Sequence, residues 1–192
     1  MSVTVSVQPT EEPMTLEEVK DFLRVDHDHE DSLIASLITA ARITVEDTTQ
    51  RRLVNTTMIY TLDAFPVVIR PPYSPLSSVT SIQYIDEDGD TQTVDADDYT
   101  VDTSTEPGRI VEAYGASWPT TRGVIDAVTV TYVVGYGSSR DDVDERAKAA
   151  MRFLISHWYE NRMPVGNANT ERLDVPMTAS FLMQQITVPE IR

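Results

Sequence analysis

From Glu30 to Leu62 the chain reads EDSLIASLITAARITVEDTTQRRLVNTTMIYTL, and the fold turns on a change of period inside that stretch. Leu33, Ile34, Leu37, Ile38, Ala41 and Val45 recur at the spacing of one helix face, which predicts a long amphipathic helix from about Glu30 to Gln50. After Asn55 the period falls to two. Met58-Ile59-Tyr60-Thr61-Leu62 is rich in aromatic and β-branched residues, which suit a strand.

Working outward toward the N-terminus, Thr15 and Glu18 have the spacing of a capping box, and Leu16, Val19, Phe22 and Leu23 share a face. A short first helix ending near Val25 follows. Asp26-His27-Asp28-His29 makes a polar connection, with Asp28 and Asp31 placed to cap the second helix and put negative charge at its start. Two helices joined so tightly should pack as a hairpin. Residues 1–13 are polar, alternate like a strand over Ser2 to Val7, and contain Pro9 and Pro13. They read as an extended arm outside the core, able to add a strand to a neighbour.

Toward the C-terminus, further strands are expected at Val67 to Ile69, Val79 to Ile85, Thr91 to Val94, Tyr99 to Val101, Arg109 to Val111 and Val128 to Val134. Asp86-Glu87-Asp88-Gly89-Asp90 reads as a hairpin turn, and Pro71-Pro72 with Pro75 as a rigid crossing. Helical spacing returns from Asp141 to about Asn161 through Val143, Ala147, Ala150, Met151, Leu154, Ile155 and Trp158. Residues 163–175 read as loop, and Ala179 to Ile186 as a last amphipathic piece before a tail too short to fold alone. The expected fold class is therefore α+β. A helical core (14–53 and 139–162) carries an inserted small antiparallel β subdomain (54–138), with the arm 1–13 and a C-terminal segment 163–192 at the ends.

Charge limits the function. Against 31 acidic side chains stand 15 basic ones, a net of −16 over 192 residues. Such a chain is repelled by phosphate backbones and anionic membranes unless it hides a basic face, and its basic residues do not cluster. Counting along the sequence, residues 1–53 carry 5 basic and 11 acidic groups, residues 54–138 carry 3 and 12, and residues 139–192 carry 7 and 8. The acidity thus sits in the first two portions, and the C-terminal portion is nearly neutral. No apolar run is long enough to span a membrane and the N-terminus lacks the layout of a secretory signal, so the chain reads as soluble and unexported.

Sites for chemistry are poorly supplied. Cysteine is absent and histidine occurs three times, so thiolate chemistry is excluded and neither a histidine-rich metal site nor a cofactor is expected. The acidic turn invites a calcium reading, but Gly89 falls at the fourth position where an EF-hand loop needs it at the sixth, and Asp97 rather than Glu stands at the twelfth. A solvated hairpin is the better reading. His157 lies beside Trp158, Tyr159 and Glu160, yet no Gly-x-Ser-x-Gly elbow accompanies it, and a structural histidine is preferred over a hydrolase site. The phosphate loop Gly-x-x-x-x-Gly-Lys is missing as well. Tyr114, Trp118 and Tyr136 in glycine-rich settings leave one alternative, a carbohydrate-binding or adhesion module on the β insertion.

The run Met14-Thr15-Leu16-Glu17-Glu18-Val19-Lys20-Asp21-Phe22-Leu23-Arg24-Val25-Asp26, with Asp28 to Ile34 and Ala40-Ala41-Arg42, resembles the head-to-tail connector (adaptor) proteins of long-tailed bacteriophages and related gene transfer agents. The resemblance continues through Pro72 to Val79, Asp98 to Asp102, Pro107 to Ile110, Trp118-Pro119, Val128 to Gly137 and His157 to Arg162, whereas Met163 to Arg192 departs from the pattern. It implies a non-enzymatic virion protein at the head-to-tail interface. Such a protein forms a twelvefold ring on the portal protein, presents a platform to the stopper or tail-terminator protein, and lets DNA pass without specific binding. Phe181, Leu182, Ile186 and Val188, in the near-neutral C-terminal portion, are the expected portal-docking residues.

Overall fold

The structure is a computed structural model and describes residues 1–161 and 176–189. Strand β1 (Ser2–Val7) precedes helices α1 (Leu16–Leu23) and α2 (Asp31–Thr49). Strands β2 (Thr56–Leu62), β3 (Leu76–Ile85), β4 (Thr91–Thr93), β5 (Tyr99–Asp102), β6 (Arg109–Glu112) and β7 (Val128–Val134) follow. Helices α3 (Glu145–Glu160) and α4 (Met177–Ile186) complete the order. The class is α+β, with antiparallel pairing in every named strand pair.

Helix α1 begins where the capping box predicts. The Glu18 N–H donates to Thr15 Oγ1 at 3.0 Å, and the Thr15 N–H donates back to the Glu18 carboxylate at 2.7 Å. Arg24 ends the helix in the left-handed conformation, φ 59°, turning the chain back toward α2. Asp28 does not cap α2: its carboxylate and that of Asp31 both accept from Lys20 Nζ, at 2.7 and 2.8 Å, because a lysine on α1 offers a charge-assisted bond that a lone helix N–H cannot match. Helix α3 starts four residues later than the acidic run suggests. Asp141 and Asp142 form a short 3-10 turn capped by Ser139, and Asp144 caps α3 by accepting from the Arg146 N–H at 2.8 Å.

One sheet has the order β1-β2-β7-β3-β4, and β5 and β6 form a separate hairpin. Six of the expected strand segments are strands. The seventh, Val67 to Ile69, is reduced to one bridge between Ile69 and Ile110, since Pro66 before it and Pro71-Pro72 after it deny the ladder donors it would need. Strand β1 adds to the same chain's β2, with Val3 opposite Tyr60 and Thr4 opposite Ile59.

Burial divides into two cores. The helical one gathers Val19, Ile34, Ile38, Val45, Leu53, Met151, Leu154 and Ile155, joined by Ala179, Met183 and Ile186 of α4. The β core gathers Met58, Leu62, Ile69, Leu76, Ile82, Ile110 and the inward row Val128, Val130, Tyr132 and Val134 of β7. The latter row follows from the strict period of two in Val128-Thr129-Val130-Thr131-Tyr132-Val133-Val134. Helix α4 contacts α3 and α2, so a fourth helix belongs to the core the sequence assigns to three.

Candidate assembly surfaces

Where the two cores meet, a seam of ion pairs locks them. Glu46 on α2 is fully buried. It accepts from Arg42 Nη1 at 3.2 Å, Arg52 Nη1 at 2.9 Å and the Leu53 N–H at 3.0 Å. Arg42 also donates to Glu12 at 2.8 Å, and Arg52 lies over the Tyr73 ring, 3.9 Å from its centroid. Glu12, Arg42, Glu46 and Arg52 line an open groove of about 500 Å³ between the arm, α2 and β2. Arg140 grips Glu11 through its backbone N–H at 2.9 Å and its Nε at 3.0 Å, and these bonds hold the Glu11 carboxyl below its ordinary range. Arg51 donates to Glu106 at 2.8 Å, lowering that carboxyl in turn, and its Nε donates to the Ile186 carbonyl.

The expected docking residues divide. Phe181 is 61% exposed, with Met177 one turn earlier at 87%. Leu182 is half-buried against the helical core and Ile186 lies inside it. Val188 is half-buried, and its N–H donates to the Thr49 carbonyl at 3.0 Å. The end of α4 is therefore fastened to the seam, while Phe181 faces outward. Residues 163–175 and 190–192, the rest of the expected docking segment, lie outside the described residues.

In the β part the acidic turn serves the hairpin. Asp86 accepts from the Gly89 N–H at 3.0 Å, the Asp90 N–H at 2.9 Å and Gln92 at 2.9 Å, while Gly89 takes φ 98°. The Gln92 bond and the backbone donors hold its carboxyl low. Asp102 is held down to about 2 by Ser104 and then by Arg109. The aromatic residues of the carbohydrate reading are not brought together. Trp118 stacks on Phe65 at 4.8 Å and packs on the β core, Tyr136 packs on the helical core, and Tyr114 alone of the three is fully exposed. His157 sits in the last turn of α3 with Asn161 beside its ring at 3.5 Å, a contact that offers no carboxylate to orient it.

One surface escaped the sequence reading. On the side of the sheet opposite the β core, Ser2, Thr61, Thr129, Gln83 and Thr93 lie in register. So do Thr4, Ile59, Thr131 and Ser81, and so do Val7, Thr57, Val133 and Ser78. No position in these three rows carries a charge. The signal was available in the threonines alternating through β2 and β7, but it takes the strand order to show that they form one face.

Residues 13–98 match the model of the phage gp6-like head-tail connector protein family. That match runs from α1 to the segment before β5. Along the whole chain the fold is similar to that of a subunit in the neck of an empty gene transfer agent particle computed with C6 symmetry, at TM-score 0.82 and 22% identity, covering 100% of this chain and 98% of that one. It is similar also to a chain of the virion of a native gene transfer agent particle, at 0.81 and 20%, and to one in the neck of the native particle computed with C12 symmetry, at 0.77 and 20%, with the same coverage. No curated protein sequence matches the chain. The likeness is thus to head-tail connectors in the sequence of residues 13–98, and to gene transfer agent neck and virion chains in the fold of the whole. The motifs beyond Asp98, from Pro107-Gly108 to His157-Trp158, lie within the fold match alone. Among the described residues no helix is long and apolar enough to cross a membrane.

Proposed function

We propose that this chain is a structural virion protein that joins the portal vertex of a capsid to its stopper or tail, as one subunit of a ring around a DNA channel, and that it performs no chemical step. The observation that carries the reading is the agreement of fold over the full chain with subunits of gene transfer agent necks. The C6 and C12 symmetry of those necks supports a ring, with twelve subunits the preferred number. Net charge supports passage of DNA without retention, since a surface of −16 per subunit repels a phosphate backbone.

In this reading the C-terminal segment docks on the portal, with Phe181 as its exposed anchor and Leu182, Ile186 and Val188 fixing the angle at which α4 presents it. Deleting residues 176–192 should leave filled heads without tails. Because Ala179, Met183 and Ile186 are buried, that deletion also strips the helical core. Phe181→Ser separates the two effects: it should keep the folded chain's melting temperature and still lower tail joining. Normal numbers of tailed particles with Phe181→Ser would remove Phe181 from the docking surface, and normal particles with the deletion would remove the segment. Tight binding of the purified chain to duplex DNA at moderate salt would contradict the channel reading.

A further inference from the structure

The sheet has two edges and two faces, and the chain treats them unequally. At one edge β4 is three residues long, set between the acidic turn at Asp86 to Asp90 and Asp95. Short length and flanking charge are how sheets discourage added strands. At the other edge β1 runs for six residues, Ser2 to Val7, without a charge or a proline, and Val5 and Val7 are exposed. Its outer backbone groups are an open template. The face it borders is the charge-free one, and among the described residues the close backbone contacts of its strands are made with other strands.

From this we infer that the uncharged face of the sheet, together with the open edge of β1, is the contact with a second copy of this chain. Charge selects the occupant. Two copies carrying −16 each repel wherever their carboxylates face one another, and an insertion with 12 acidic and 3 basic groups leaves few places where they do not. The rows through Thr61, Thr131 and Thr57 are such a place. A basic partner would be drawn to the acidic turns, and a nucleic acid needs cations this face lacks. Contact cores between proteins are likewise depleted in charge. The side chains suit it: threonine and serine hydroxyls can pair with polar groups of the facing copy, while Ile59, Val133 and the threonine methyls supply apolar area. Five strands of about seven residues project roughly 500 Å². A standard interface covers about 800 Å² per partner, so face and edge form the middle of a contact that other elements complete.

The inference rests on the ring reading, and the test keeps the two apart. The chain has no cysteine, so single cysteines report cleanly. Thr131→Cys probes the face and Asp88→Cys the acidic turn. In purified particles Thr131→Cys should react with a maleimide about tenfold more slowly than in the free chain, if the contact is closed in roughly nine copies of ten. A maleimide carrying a photoreactive group, placed on Thr131→Cys, should cross-link it to a second copy, while Asp88→Cys should react equally in both states. Equal reactivity of Thr131→Cys, or protection with linkage to a different protein, overturns the inference and leaves the virion role standing. If the chain is absent from particles, the virion role fails and the face is judged in solution. Sedimentation should then show association rising with concentration and weakened by Thr131→Glu; a monomer throughout overturns it.

Discussion

The helical part and the sheet each bury a core of their own, yet they handle charge in opposite ways. The helical part draws charge inward: Glu46 is buried between Arg42 and Arg52, and Arg42 reaches on to Glu12. The β part pushes charge outward, to turns and strand ends such as Asp86 to Asp90 and Asp102, and its five-stranded sheet keeps one face free of it. Buried pairs are costly to desolvate and contribute most by fixing geometry, whereas a charge-free face costs nothing until it meets a partner. The comparison teaches that in an acidic chain the location of charge separates the surface that locks the subunit from the surface open to contact.

The largest effect should come from breaking the lock. Glu46→Ala leaves Arg42 and Arg52 without their shared carboxylate and should lower stability by about 3–5 kcal/mol in denaturant unfolding; a loss under 1 kcal/mol would mean the seam is solvated. Next, Leu154→Ala in the helical core and Ile82→Ala in the β core should each cost about 2–5 kcal/mol. If the seam makes one cooperative unit, both variants lower a single shared transition; two separated transitions in calorimetry would split the parts. Smaller still, Thr15→Ala removes the capping box of α1 and should cost about 0.5–2 kcal/mol, read by the same unfolding measurement.

The smallest effect belongs to the sheet's outward charges and appears only in acid. The folded Asp102 carboxyl lies below its ordinary 3.8, at about 2, so the folded chain binds that proton more weakly than the unfolded one. Its contribution is present above about pH 4 and is lost as pH falls through about 2. An NMR titration should show the Asp102 carboxyl protonating at about 2, below its ordinary 3.8, and Asp102→Asn should remove that part of the acid dependence. Titration at the ordinary value would show that Ser104 and Arg109 do not hold it.

How much was legible follows from range. The Thr15–Glu18 box, the stripe from Leu33 to Val45 and the alternation in β7 act within a few residues, and each formed as the local pattern demanded. Asp28 was misread because its partner, Lys20, competes from another helix. Val67 to Ile69 was misread because β propensity overlooked the prolines on both sides. For the docking residues, spacing marked Ala179 to Ile186 as amphipathic but offered no means of telling a face buried on α3 from one awaiting a partner.

By itself the sequence determined the α+β class, the acidic insertion, most element positions and the resemblance to connectors, since period, turn chemistry and charge are local sums. Only the tertiary structure decided that β1 closes onto β2, that Glu46 gathers two arginines, and that threonines from four strands, widely separated in sequence, make one uncharged face. Those facts depend on strand order and helix packing, which long-range burial selects and no local pattern encodes.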